Sequence, residues 1–269
     1  MLTVIVTCMG RLHHMRQSLP LLVLQPGIRC IVVDYGCPDR VGDWTEQNFP
    51  EVDVVRAGPV THFNVAKARN LGARHARAPW LCFMDADTLV APGFMQQRMD
   101  ALREKCFYRA EPCPQELVGL VICPRADFEK IGGYDEVFEG WACEDRDLYA
   151  RLRRSGCTPL SFAAESLQPL VHDDTQRTRH HGVADRFLSL RINGMYLQIK
   201  TDLARLLEQN DLSLEDRREL YARIRQRILA NPDAVAQMDV ALPRPTDFTQ
   251  PPGWRLDRTI SYRFEPLKP

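Results

Sequence analysis

The stretch Trp80-Leu81-Cys82-Phe83-Met84-Asp85-Ala86-Asp87 runs five apolar residues directly into two carboxylates. An apolar run of that length with polar residues at its end reads as a strand buried on both faces. The same pattern recurs towards the N-terminus. Leu2–Val6 is a candidate first strand, and Arg11–Leu24 carries apolar residues at helical spacing. Cys30–Asp34 is a second strand, closed by the turn-forming Tyr35-Gly36-Cys37-Pro38. Val52–Arg56 is a third, followed by a helix over Asn64–Ala76 that leads into Trp80. Successive strand–helix units predict an α/β fold, a doubly wound and mostly parallel sheet with flanking helices. In such sheets ligands bind at the carboxyl ends of the strands.

The pattern changes after residue 116. Leu117–Cys123 reads as a strand, and Asp127 to Tyr134 as a short helix ending in a glycine turn. Cys143–Ser155 is a helix stopped by Gly156, and Leu167–His172 is a late strand. Beyond residue 176 the character is helical. Arg179–Glu208 has long apolar faces, and a second helix starts at Ser213, three residues before Asp216. That helix puts Tyr221, Ile224 and Ile228 on one face, and Asn231-Pro232 ends it. The Pro-rich tail after Pro243 is expected to be extended or packed over the surface. The chain thus divides into a catalytic or binding domain over 1–175 and a helical extension with an irregular tail over 176–269.

Composition narrows the function. Lys plus Arg and Asp plus Glu number 35 each, so there is no basic excess of the kind a nucleic-acid binder carries. The nine cysteines include no C-x-x-C pair, which argues against zinc ribbons and for buried, reduced thiols. Met1–Thr7 reads as a strand rather than a leader, and no apolar stretch approaches the length of a membrane span. A cytoplasmic setting is the expectation. The 176–230 segment holds eleven Lys or Arg against seven Asp or Glu. Such an excess is compatible with peripheral contact at the inner face of a membrane, but more simply describes a solvated face.

Three constellations carry chemistry. Asp85-Ala86-Asp87 could hold a divalent cation against a diphosphate, or be an Asp-rich turn. Asp145-Arg146-Asp147 is a second D-x-D, so only position separates the two. Gly140-Trp141-Ala142-Cys143-Glu144-Asp145 could stack a sugar ring beside a base, or be the acidic first turn of a helix. His172 could ligate the same cation or be structural.

Taken in order, several segments resemble the inverting GT-A glycosyltransferases. They are Thr7-Cys8-Met9-Gly10-Arg11, Phe63-Asn64-Val65-Ala66-Lys67-Ala68-Arg69-Asn70-Leu71-Gly72, Asp85-Ala86-Asp87, Gly140-Trp141 with Glu144-Asp145, and His172. The similarity is to the glycosyltransferase 2-like family with a β-1,4-galactosyltransferase-type C-terminal segment, and also to bacterial chondroitin-type polymerase domains. It covers roughly residues 1–175, and its most specific piece lies within residues 132–152.

The resemblance implies a GT-A domain plus a C-terminal helical extension. It also implies transfer of a sugar from a nucleotide-sugar, favouring a UDP-hexose or UDP-N-acetylhexosamine, to a glycan or glycoconjugate hydroxyl. Thr7, Met9, Arg11 and Asp34 would then surround the nucleotide, with Lys67, Arg69 and Asn70 helping to hold the donor. Asp85 and Ala86 would contact the nucleotide-sugar, while Asp87 and His172 would ligate Mn2+ or Mg2+. The family's methionine ligand position is Pro169 here, so water would complete the metal's shell. Trp141 would lie against a sugar, Glu144 would bind acceptor hydroxyls, and Asp145 would be the base.

Competing readings fit less well. A sugar-phosphate nucleotidyltransferase wants a Gly-rich phosphate loop, and Val6-Thr7-Cys8-Met9-Gly10 has one glycine. No G-x-G-x-x-G or Walker A sequence supports a dehydrogenase or a P-loop enzyme. A non-catalytic nucleotide- or glycan-binding protein on the same fold would not need the acids that the motifs retain.

Overall fold

A computed structural model describes residues 1–112, 117–170, 178–232, 235–242 and 257–265. Its centre is strand β1 (Leu2–Cys8), buried at all seven positions. Side chains alternate across it. Leu2, Val4 and Val6 join one apolar cluster, and Ile5 joins the cluster on the opposite face. A strand covered on both faces has no place for polar alternation, which explains the apolar run in the sequence.

Around β1 lie β2 (Ile28–Asp34), β3 (Asp53–Arg56) and β4 (Trp80–Asp85), all parallel. The sheet continues through β7 (Val121–Pro124), β6 (Cys106–Ala110) and β8 (Thr158–Phe162), giving the order β3-β2-β1-β4-β7-β6-β8. Only β7 runs antiparallel to its neighbours. The α/β, mostly parallel architecture expected from the sequence is therefore present. β5 (Thr88–Val90) pairs antiparallel with β9 (Leu167–Pro169) in a separate ribbon just beyond the end of β4.

Helices α1 (Leu12–Val23), α2 (Val41–Asn48), α3 (Val65–His75), α4 (Phe94–Asp100), α5 (Arg125–Lys130) and α6 (Glu144–Arg154) follow. Asn64 starts α3, its side-chain oxygen accepting from the Lys67 N–H at 2.9 Å. Gly72 lets α3 approach the sheet, because a Cβ there would stand 2.5 Å from Ile5 Cγ2. The C-terminal part comprises α7 (Arg186–Leu206), α8 (Leu214–Ala230) and a hairpin of β10 (Ala236–Leu242) and β11 (Arg258–Phe264). These elements share an apolar cluster with Val137, Phe138 and Cys143. No helix among the described residues is long and apolar enough to cross a membrane.

Several boundaries differ from the sequence expectation. Residues 117–120 form a turn, with Leu120 N–H donating to Leu117 O, and strand pairing starts only at Val121. The long helix begins at Arg186 rather than 179 because Asp185 caps it, accepting from Leu188 N–H at 2.9 Å. The late strand is observed over Leu167–Pro169.

A buried ionic cluster fastens the C-terminal helices to α6. The Lys200 ammonium on α7 is fully buried and donates to Asp135 Oδ2 and Asp147 Oδ1, both at 2.7 Å. Tyr196 also donates to Asp135 at 2.7 Å, and Arg217 of α8 reaches its other oxygen at 2.7 Å. Arg151 closes the set on Asp147 at 2.6 Å. Removing one partner from such a set leaves a buried charge uncompensated, at about 3–5 kcal/mol. Lys200→Met is therefore expected to lower unfolding stability by about that amount in urea titration. Burial alone would raise the Asp135 carboxyl, but Lys200 and Arg217 outweigh it and hold it at about 2, below the ordinary 3.8. That contribution is complete above pH 3.8 and is lost as pH falls through about 2, so the melting temperature should drop across this window. Asp135→Asn should flatten that drop.

Candidate active site

The parallel strands β1 and β4 end side by side, with Thr7 in register with Asp85. A cleft of about 280 Å³ opens at these ends. Thr7, Met9 and Arg11 line one wall, Asp85-Ala86-Asp87 the floor, and Trp141 with Glu144 and Asp145 the far wall. Asp85 is the last residue of β4, and the chain then turns into β5. The turn is fixed through its backbone. Ser18 Oγ donates to Ala86 O, and Leu170 N–H donates to Asp87 O, both at 2.7 Å.

The two aspartates are held apart by different cations. Arg11 Nη1 lies 2.8 Å from Asp87 Oδ2, and Arg69 Nη2 lies 2.9 Å from Asp85 Oδ1. Arg69 is 2% exposed, and its other terminal nitrogen donates to Asp145 Oδ1 at 2.7 Å and faces Glu144 Oε1 at 3.4 Å. One guanidinium thus joins the end of β4 to the start of α6. Its flat fork can serve carboxylates on both sides, which an ammonium cannot do with the same geometry. Tyr134 supports it from below, its ring centroid 5.1 Å from the guanidinium carbon and its hydroxyl donating to Asp145 Oδ1 at 3.1 Å. Gly119 is required beside this group, since a Cβ there would meet Arg69 Nη2 and stand 2.6 Å from Asp85 Oδ2.

The acids at the start of α6 are therefore not a solvated first turn. Glu144 and Asp145 are 6% and 7% exposed, and face the cleft. Burial, followed by the charge of Asp145, pushes the Glu144 carboxyl well above its usual range. Burial also raises Asp145, against the opposing charge of Arg69. Both carboxyls thus keep a proton to higher pH than exposed carboxylates do.

Not every expected residue reaches the cleft. Of Lys67, Arg69 and Asn70, only Arg69 does. Adjacent positions on α3 point about 100° apart, and Asn70 instead pins the following loop. It accepts from Tyr134 N–H at 2.8 Å and donates to Tyr134 O and Glu136 Oε1 at 2.9 Å. Lys67 lines a second groove between α3 and α8. Asp34 is buried at the end of β2 and organises the next turn, accepting from Cys37 N–H at 2.7 Å and Gly42 N–H at 3.0 Å. His172 lies outside the described residues.

The structure adds residues that motif reading missed. His180 and His181 line the cleft, with His180 O accepting from Phe63 N–H at 2.7 Å. The His180 ring covers Gly10, where a Cβ would overlap it. Burial, then the charge of Arg179, lowers its pKa, so it is neutral near pH 7. The adjacent histidines were visible in the sequence, but no spacing tied them to the first strand.

The cleft fits a divalent cation in its donor chemistry. Asp85 and Asp87 offer the hard oxygen ligands that Mg2+ and Mn2+ prefer. The group of three acids at Arg69 is arranged around a guanidinium, and no three metal-ligating side chains converge among the described residues.

In fold the chain is of the GT-A type, with a D-x-D at the end of β4 and a buried acidic pair facing it across the cleft. Residues 3–108 match the family described as glycosyl transferase family 2, and residues 98–184 match the N-terminal domain of galactosyltransferase. Validoxylamine A glucosyltransferase of Streptomyces hygroscopicus subsp. jinggangensis is 28% identical, over 39% of this chain and 38% of that protein. The chain thus spans well under half the length of this curated relative. Among solved structures, S. aureus TarS 1-349 in complex with UDP-GlcNAc superposes with a TM-score of 0.60 at 12% identity, covering 86% of this chain and 73% of that one. The mannosyltransferase PcManGT from Pyrobaculum calidifontis, in complex with GDP-Man and Mn2+, gives 0.56 at 14% identity, covering 86% and 75%.

The acidic pair has a direct test. In a 13C-carboxyl NMR titration, Glu144 should titrate well above its ordinary 4.5. Asp145→Asn removes the second cause of the rise, so the Glu144 value should fall in that variant. A wild-type Glu144 that titrates near 4.5 would show that the cleft is wetter than the structure describes.

Proposed function

We propose that the protein transfers a sugar from a nucleotide-sugar to an acceptor hydroxyl, with inversion at the anomeric carbon. The observation that carries this reading is the buried Glu144–Asp145 pair facing Asp85 and Asp87 across one cleft. The order of family matches and the nucleotide-sugars held by structural neighbours support it. A UDP-hexose or UDP-N-acetylhexosamine is the favoured donor, and a glycan or glycoconjugate the acceptor.

Thr7, Met9 and Arg11 hold the nucleotide at the end of β1. Asp87 and Asp85 would hold Mn2+ or Mg2+, which when bound neutralises the charge that builds on a departing diphosphate. Asp145 accepts the proton of the attacking hydroxyl, oriented by Arg69 and Tyr134. Glu144 binds an acceptor hydroxyl beside it. Trp141 offers an aromatic face to the sugar and shields the bond being broken from water.

The test is a panel of nucleotide-sugars with Mn2+, read by release of nucleoside diphosphate. One donor should be turned over, with activity lost in Asp87→Ala. Asp145→Asn should fold normally and lose ~10²–10⁴-fold in turnover, the usual worth of a general base. Turnover in Asp145→Asn near that of the wild type would remove the base from this residue. Inertness towards every donor, with no thermal shift from any nucleotide plus metal, would reject the transferase reading.

A further inference from the structure

Both family matches end by residue 184, yet side chains beyond it hold the far wall of the cleft in place. That wall is the loop from Glu139 to Cys143, which delivers Trp141 and then Glu144 and Asp145. Its backbone is unusual. Gly140, Ala142 and Cys143 have φ of 76°, 77° and 81°. Glycine adopts such values freely, whereas in alanine and cysteine the Cβ crowds the backbone. The loop therefore cannot owe its shape to local preference.

Two residues of α7 impose it. Asn193 is fully buried, and its amide donates to Glu139 O at 2.9 Å and Ala142 O at 3.0 Å, with Trp141 O at 3.1 Å. The Asn193 oxygen is held in turn by the Tyr221 hydroxyl of α8 at 2.8 Å. Ser189, 1% exposed, brackets Trp141 on both sides. Its Oγ accepts from Trp141 N–H at 2.6 Å and donates to Trp141 O at 3.1 Å. A Cβ on Gly140 would strike that same oxygen. One turn back on the helix surface, the Arg186 guanidinium lies 4.4 Å over the Trp141 ring.

We infer that Asn193 and Ser189 are positioning residues of the transferase site, clasping the Glu139–Cys143 loop in its left-handed form. The clasp aims Glu144 and Asp145 into the cleft and fixes Trp141 at its mouth. It rests on the reading of the reaction given above, but its geometry does not. The C-terminal helices are then part of the catalytic apparatus, not an appendage to it.

The test combines hydrogen exchange with kinetics on the full chain. In Asn193→Ala, amides of residues 139–146 should exchange roughly tenfold faster while the central strands stay protected. With the donor found in the panel, KM for donor should hold while kcat falls roughly 10²-fold, the scale of a misplaced reacting group. Adding Ala142→Gly and Cys143→Gly to that variant removes the steric penalty of the left-handed backbone, and should recover much of kcat. A purely structural role would lower the melting temperature without a split between KM and kcat, and glycine would not rescue it. Should Asn193→Ala not fold, Ser189→Ala, which deletes one oxygen, should give the same pattern on a smaller scale. Unchanged exchange over 139–146, or unchanged kcat, overturns the clasp. A wild-type chain that transfers no sugar overturns the reaction instead, because exchange is read without substrate.

Discussion

The buried guanidinium of Arg69 is the contact on which the site depends. It touches the end of β4 and the start of α6 at once, through Asp85 on one side and Asp145 on the other. Without it, three carboxylates would stand together in a poorly solvated space, and their mutual repulsion would push the strand end and the helix apart. The charge that holds them also restrains them. Arg69 opposes the rise that burial imposes on Asp145. Burying an arginine for this purpose costs desolvation, which only several good hydrogen bonds can offset.

Helix α6 is gripped on both faces. One face meets Arg69. The other places Asp147 under the Lys200 ammonium and the Arg151 guanidinium. Residues 145 and 147 are two apart, so on a helix they point in widely different directions, and each can serve a separate charge cluster. Glu144 and Asp145 are thereby anchored to the sheet through α3, and to the C-terminal helices through α7. The entry to α6 is the strained link between them, and the side chains that stabilise it come from α7. A site assembled this way resists small displacements, which the base proposed at Asp145 would need in order to meet a hydroxyl within hydrogen-bond reach.

Much of this was legible in the sequence, for identifiable reasons. Strands β1, β2 and β4 are buried on both faces, so they appear as continuous apolar runs whose ends can be read to within a residue or two. Asn64 and Ser213 announce helix starts by capping chemistry that is local to a few residues. By contrast, β6, β8 and the β10–β11 hairpin gave no clear signal. β8 is exposed at three of its five positions, and β11 is exposed at every position but Ile260, Tyr262 and Phe264, which are only half-buried against the C-terminal cluster. Their pairing is decided by partners far along the chain. The Phe63–Gly72 segment shows the same division. Its resemblance brought forward Lys67, Arg69 and Asn70 together, but helical geometry sends only the arginine into the cleft.

By itself the sequence determined the parallel sheet, the place of Asp85-Ala86-Asp87 at a strand end, and the helix that starts with Glu144 and Asp145. Those follow from apolar periodicity and the run of charges, which act over a few residues. Whether the acids of α6 were a solvated turn or a buried, charge-paired couple was decided only by the tertiary structure. The answer lies in Arg69, seventy-six residues before Asp145, and in Asn193, about fifty residues after the loop it clasps. Burial and charge pairing arise between distant segments, and no local pattern records which segments will meet.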